Sequence, residues 1–272
     1  MRWLGPREWP ASLEGIRAYM DPIFGAIAPR YDLVSRLLSF GQEGRWKRRA
    51  VGLIPRAERP ARILDLATGT GGFVACLDRA GHRAPIVALD RSREMLAIAR
   101  RRWEGRGPGT RRTVAATPPE AGGRPGATRV AFIRGDLASL PFAERTFDLV
   151  TLGYGLRYVP DLRPIVGQVL RLLRPGGRFV CLDLDAPSRP MFRRAYLGYL
   201  LVLGSLWGLA FHGRPGEYWH IAESLRAFPG SAAVMRAMHE AGFVATRCVS
   251  RLGGAAMIVT GRRPPGATAD SP

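Results

Sequence analysis

From Arg62 onward, short apolar runs alternate with segments whose apolar residues recur at helical spacing. Runs without polar alternation are what a strand buried on both faces requires. This pattern predicts strands at 62–67, 85–90, 130–135, 147–152 and 178–184. Helices are expected at about 72–80, 92–103 and 162–173, the last stopped by the turn "RPGG". Near the end, "SAAVMRAMHEAG" reads as a capped helix followed by two strand-like runs, "FVATRCVS" and "AAMIVTG". Strands alternating with helices specify an α/β fold, a mostly parallel sheet with helices on both faces.

The flanking segments read differently. Ile16, Tyr19, Met20, Ile23, Phe24, Ile27, Tyr31, Val34 and Leu38 recur at helical spacing, and Pro22 and Pro29 are expected to break them into short helices. Residues 1–50 thus form an N-terminal helical extension or lid on a domain spanning 51–263. Residues 104–128, rich in Gly, Pro and Arg, are expected to be a flexible surface insertion, and 264–272 a disordered tail. Ala195 to Phe211 runs 17 residues without a charge, the lower edge of spanning length. A crossing there would strand the last two strands across the bilayer from their sheet. Residues 187–230 are therefore expected to hold lid helices or a lipid-tail groove, with Arg193, Arg194 and Arg214 as interfacial anchors.

Composition changes this picture in two ways. At 272 residues, 46% of them hydrophobic, the chain is long enough for one full core with extensions. The net charge of +19 has three readings: arginine-rich coding bias, an anionic membrane surface, or nucleic acid. Lys47 is the only lysine among 41 basic residues, which favours coding bias first. Cys76, Cys181 and Cys248 lie far apart and show no metal-ligand spacing, so no metal and a reduced, cytoplasmic setting are expected. Arg2, Arg7 and Glu8 precede no apolar signal core, so secretion is not indicated.

The candidate chemistry begins at "ILDLATGTGG", a strand ending in Asp65 and running through Ala67 into Gly69-Thr70-Gly71-Gly72. Such a turn lets the backbone approach a ligand closely. A Walker loop is excluded because no Gly-Lys-Ser/Thr follows. The dinucleotide fingerprint is weakened because Val74 stands where its third glycine belongs. Asp65 is placed to face an ammonium group, such as that of S-adenosylmethionine (SAM). Asp90, beside Arg91, closes the second strand where a carboxylate takes ribose hydroxyls. Asp136 ends the third, positioned to accept the adenine amine while Leu137 packs on the ring. Each acid alone also fits a helix cap or a solvated loop; three at successive strand ends beside one glycine turn point to a shared ligand.

With "YDLVSRLLSFGQEGRWKR", "LPFAERTFDLVTLGYGLRYV", "VLRLLRPGGRFVCLDLD" and "EYWHIAESLRAFP" added, the chain from about Phe24 to Arg262 resembles the class I SAM-dependent methyltransferases. Within them it is similar to the ubiquinone/menaquinone biosynthesis C-methyltransferase family. The resemblance implies a Rossmann-like, seven-stranded sheet with an antiparallel C-terminal strand. It further implies a SAM-dependent C-methyltransferase acting on a prenylated quinol such as demethylmenaquinol, with peripheral contact to an anionic membrane at its inner face. A paralogue acting on another small phenolic or lipid acceptor, or a non-catalytic SAM-binding subunit, remains open. No nucleic acid is expected, since the Asn/Asp-Pro-Pro-aromatic motif of base methylases is absent after the fourth strand.

By the same resemblance, Arg157 stabilises a phenolate electrostatically and His220 is a candidate for proton transfer. Tyr154 joins the cofactor-binding set, and Tyr31, Tyr158, Tyr218, Glu223 and Ser224 are expected around the acceptor. The chain departs from the family pattern at Val34, Ser35, Glu43, Tyr158, Asp183 and Asp185, positions expected to face the acceptor.

Overall fold

The computed structural model describes residues 9–55, 57–105 and 128–266, with the backbone of 112–114. Its sheet is built from β1 (Ile63–Leu66), β2 (Ile86–Asp90), β3 (Arg112–Val114), β4 (Thr128–Arg134), β5 (Phe147–Gly153), β6 (Leu173–Leu184), β7 (Val244–Arg251) and β8 (Ala256–Arg262). The order across the sheet is β3-β4-β2-β1-β5-β6-β8-β7; β8 pairs antiparallel with both β6 and β7, and the other pairings are parallel. This is the Rossmann-like arrangement, with one strand added to the expected seven. The addition is β3, at the edge beside β4, in a segment whose Gly, Pro and Arg content carries no strand period. The remainder of 104–128, from 106 to 111 and 115 to 127, lies outside the described residues, as do 267–272 of the expected tail.

Central strands are apolar throughout because both faces are covered. Ile63, Leu64 and Leu66 of β1 are fully buried. On one face pack α6 (Leu162–Leu172) and α9 (Ser231–Ala241), which supply Val166, Val169, Val234 and Met238 to the core. On the other lie α3 (Glu43–Val51), α4 (Gly72–Arg79) and α5 (Arg93–Glu104), with Trp46, Leu77 and Trp103. The "RPGG" turn does not precede the sixth strand; it is looped out within it. Register against β5 jumps there, Gly176 takes φ +75°, and a Cβ on Gly177 would lie 2.8 Å from the Arg174 carbonyl.

One expectation is corrected in the lid. Pro29 does end a helix, but α1 (Leu13–Ile27) continues through Pro22. An interior proline costs about 3 kcal/mol and frees one carbonyl, here that of Ala18, which sits on the exposed side where water can bond it. Burial of Ile16, Met20 and Ile27 on the other side, each contributing about 1.5–3 kcal/mol, outweighs that loss. The chain then passes through a 3-10 turn into α2 (Tyr31–Leu38). The uncharged stretch forms α7 (Pro190–His212), followed by α8 (Trp219–Ala227). By length and composition α7 could cross a membrane. Both of its ends return to one sheet, because β6 before it and β8 after it pair over seven residues.

Candidate active site

The strand order turns outward in both directions from β1, so the carboxyl ends of β1, β2 and β5 open a crevice at the topological switch point. Two residues there hold positive φ without being glycine, Ala67 at +51° and Tyr154 at +58°. Such conformations are strained and concentrate at ligand sites. Gly155 must be glycine, since a Cβ on it would come within 2.7 Å of the Ala67 Cβ.

A cavity of about 320 Å³ fills this crevice. That is within the range of small-molecule sites. Its floor includes Ala67, Gly69, Asp90, Asp136, Leu137 and Tyr154, and α1 roofs it with Ile16, Met20 and Phe24. The carboxylates can be tested against the ligand expected of each. Asp90 accepts from the Gly69 N–H at 2.7 Å and the Ser92 N–H at 2.9 Å. The Arg91 N–H also bonds it; a carboxylate has about four acceptor positions, so one is left for a ribose hydroxyl. Burial raises its pKa despite those bonds. Asp136 accepts from the Ala138 N–H, from Arg91 at 2.6 Å and from Arg17 at 2.8 Å, leaving one position for an exocyclic amine. Leu137 and Leu89 supply apolar wall beside it. The residues present thus fit a nucleoside with hydroxyl and amine donors.

Asp65 does not reach this cavity. It is fully buried beneath the turn, accepting from Thr68 Oγ1 and Thr151 Oγ1, both at 2.6 Å, and burial pushes its pKa up to about 6. Instead of facing an ammonium group directly, it braces the turn. Its direction is set by the pleat, which puts its side chain on the same face as that of Thr151, its register partner on β5. Gly71 also stays outside the cavity, in the left-handed conformation that starts α4. Arg91 lines the cavity but spends its guanidinium on Asp21 of α1 and on Asp136, so it fastens the lid instead of meeting ligand.

A second cavity of about 60 Å³ lies across Tyr31, Tyr154 and Tyr158, which line both. Around it stand Arg157, Tyr196, Tyr218 and His220. Arg157 is 5% exposed, and its pocket is built by the 3-10 turn Leu156–Tyr158. Its guanidinium donates to Asp183 at 2.5 Å, to the Tyr154 carbonyl at 3.2 Å and to the Tyr158 hydroxyl at 2.6 Å. Burial works against its charge, but Tyr158, Asp183 and Tyr31 outweigh burial and raise its pKa. Its Nε–H is buried and has no partner among the described residues. One donor of a permanently charged group is therefore unused.

His220 is 1% exposed, and burial, then the nearby Arg157 charge, push its pKa down to about 3. Its Nδ1 lies 2.9 Å from the Glu217 carbonyl. A carbonyl only accepts, so Nδ1 carries the hydrogen and Nε2 is left as an acceptor. Such a ring is a weak base, which removes His220 as a strong general base. Tyr218 donates to or accepts from His212 at 2.9 Å, and burial raises its pKa to about 12.

Glu223 and Ser224 do not line the second cavity. Glu223 accepts from the Tyr19 hydroxyl at 2.7 Å, tying α8 to the lid, and Ser224 bonds Tyr158 from behind. Among the departures from the family pattern, Val34, Ser35, Glu43 and Tyr158 do face the cavity. Asp183 and Asp185 do not. Asp183 is saturated by Arg157 and the N–H groups of Leu156, Arg157 and Leu184, while Asp185 accepts from Ala186 and Ser231. Sequence reasoning missed Tyr196 and Leu200, whose apolar helix betrays no inward face, and Trp46, which spacing alone marks as core.

The ubiE/COQ5 methyltransferase family profile matches residues 14–263. A demethylmenaquinone methyltransferase of Thermus thermophilus is 40% identical over 89% of this chain and 100% of its own length. A protein of Geobacter sulfurreducens named ubiquinone/menaquinone biosynthesis C-methyltransferase is 36% identical over 89% of this chain and 87% of its own. Among solved structures, a SAM-dependent methyltransferase of Thermotoga maritima superposes with a TM-score of 0.55 at 17% identity, covering 90% of this chain and 99% of that one. One from Mesorhizobium loti gives 0.51 at 21% identity, over 79% and 96%. The fold, the nucleoside-shaped crevice and these likenesses agree, and the chain belongs to the ubiE/COQ5 family of SAM-dependent methyltransferases.

Proposed function

We propose that this enzyme methylates a ring carbon of a prenylated quinol of the demethylmenaquinol type, at the inner face of a membrane. The observation that carries the reading is the buried Arg157 guanidinium in a cavity that shares Tyr31, Tyr154 and Tyr158 with the nucleoside crevice.

SAM supplies an electrophilic methyl on a sulfonium. The protein must then make a ring carbon nucleophilic, hold it in line and exclude water. Release of the neighbouring ring hydroxyl's proton to solvent before the site closes makes that carbon electron-rich, and the Arg157 Nε–H stabilises the resulting phenolate. His220 Nε2 accepts a hydrogen bond from the second hydroxyl and orients the ring. Methyl transfer leaves that oxygen as a ring carbonyl; the carbon then gives up its hydrogen as a proton while the oxygen takes one up, which restores the aromatic quinol with a net release of one proton. Tyr158, held by Arg157 on one side and Phe24 at 5.5 Å on the other, forms an aromatic wall for the ring. A cavity of about 150 Å³ is what admits a benzene, so the 60 Å³ here requires α2 or α7 to move before a bicyclic quinol enters.

The test is methyl transfer from labelled SAM to chemically reduced demethylmenaquinone, read by mass spectrometry. The wild type is expected to give a quinol one methyl heavier. Arg157→Ala should lower turnover at least about 100-fold, the scale of one lost transition-state donor, while SAM affinity stays within about threefold. Absence of product from any reduced quinone would overturn the acceptor; undiminished turnover in the variant would overturn the Arg157 assignment.

A further inference from the structure

We propose that Lys47 holds the α-carboxylate of the sulfonium donor, and that Glu43 occupies the Lys47 ammonium until the donor arrives. The proposal rests on the SAM reading and assigns one part of that ligand.

A SAM molecule carries an ammonium and a carboxylate at the end opposite its adenine. With adenine at Asp136 and ribose at Asp90, that end runs past Gly69 to Tyr154, where the two cavities meet. The ionised neighbours there are mostly acids. Asp65, Asp90 and Glu43 surround the point, and the cation of the acceptor side, Arg157, is committed to Asp183. Desolvating a carboxylate beside them is costly unless a cation compensates. Lys47 lines neither of these cavities but stands beside the glycine turn, in a space it shares with Glu43, Thr70, Gly71 and Gly72, and supplies the cation from there. Its ammonium lies 5.6 Å from the centre of the Tyr154 ring, lowers the pKa of the Asp65 carboxyl beneath the turn, and packs so closely on Gly72 that a Cβ there would collide with Nζ. Gly72 opens α4, whose first N–H groups lack partners within the helix. The Tyr154 hydroxyl is buried with no partner among the described residues, a further polar group awaiting a ligand.

The present partner of Lys47 is Glu43, one helical turn earlier on α3. Glu43 is the more exposed of the two, 21% against 11% for the side chains, and it also lines the acceptor cavity. It can therefore swing outward while the ammonium keeps its place. The remaining 40 basic residues are all arginine, and Lys47 is the one that sets a compact point charge against Gly72.

Calorimetry on the full chain with three ligands tests this: SAM, decarboxylated SAM, which keeps the ammonium, and 5′-methylthioadenosine, which has no amino-acid portion. Wild type should bind SAM at least about tenfold tighter than decarboxylated SAM, the scale of a charge-assisted hydrogen bond. Lys47→Met should abolish that preference and leave the other two ligands within about twofold. Glu43→Gln, which removes the competing carboxylate, should tighten SAM several-fold. Unchanged SAM binding by Lys47→Met, or an equal loss for all three ligands, overturns the proposal. Should Lys47→Met fail to fold, a Glu43→Gln variant that does not bind SAM more tightly overturns it alone. A wild type that binds methylthioadenosine without preferring SAM defeats the Lys47 assignment only, whereas one that binds none of the three defeats the donor reading itself.

Discussion

The neutral imidazole of His220 links the acceptor cavity to the stability of the whole chain. Its folded pKa of about 3 lies below its ordinary value near 6.5. Below pH 6.5 the unfolded chain takes up a proton that the folded chain refuses, so stability present at neutral pH is lost progressively toward pH 3. Integrated from pH 7 to 5, the loss is about 2 kcal/mol. Asp65 works in the opposite sense, because its raised pKa, about 6, adds stability as pH falls from 6 toward 4. Comparing wild type with His220→Phe separates the two. The variant loses the bond to Glu217, a constant offset, but its melting temperature should fall less steeply between pH 7 and 5. Parallel curves would mean that the ring titrates alike in the folded and unfolded chains, against the depressed pKa. Removing Arg157 is a different matter: it would leave Asp183 buried and unpaired, at a cost of about 3–5 kcal/mol.

At the scale of elements, α1 is fastened over the nucleoside crevice by charge. Arg17 meets Asp136 at 2.8 Å and Asp21 meets Arg91, while Asp32 of α2 accepts from Thr70 at 2.7 Å and pairs with Arg102. These side chains are partly exposed, so each pair alone contributes only about 0–1 kcal/mol and is screened by salt. Acting together they are expected to set how often the lid opens. Stopped-flow release of SAM should accelerate several-fold between about 50 mM and 500 mM salt. The double substitution Asp21→Asn with Arg17→Gln should be fast already at low salt and nearly insensitive to it. A wild-type rate independent of salt would show that the lid does not gate the donor. This clasp was beyond sequence reading, because partners about 70 and 119 positions apart carry no local signal. The strands were legible, since burial on both faces forces an apolar run. So was the switch-point crevice, through the glycine turn and the two acids that do line it. Whether Asp65 faced ligand or turn depended on Thr68 and Thr151, and Thr151 comes from a strand 86 residues away. The strand at 112–114 is held by its pairing with β4, not by its own composition.

For the whole molecule, α7 carries two faces with different tasks. Tyr196 and Leu200 point inward to the acceptor cavity. Met191, Val202, Leu206 and Leu209 recur at helical spacing on the outer side and are more than half exposed, as is Phe40, stacked on Tyr199 at 5.4 Å. A continuous apolar stripe of this kind costs free energy in water and gains it in an interface. Arginines at 193, 194 and 214 flank the stripe, on a chain of net charge +19. A prenyl tail leaving the cavity between α2 and α7 would emerge beside that stripe, so docking on anionic lipid and acceptor delivery would use one surface. Sedimentation with vesicles containing anionic lipid should therefore carry wild type into the pellet at low salt and less of it at high salt. Val202→Glu together with Leu206→Glu should reduce binding at least about tenfold while leaving SAM affinity and melting temperature unchanged, since neither side chain is buried. Binding that survives this pair of substitutions but vanishes with salt would assign the contact to arginine charge alone, and no binding to anionic vesicles at all would separate the enzyme from the bilayer.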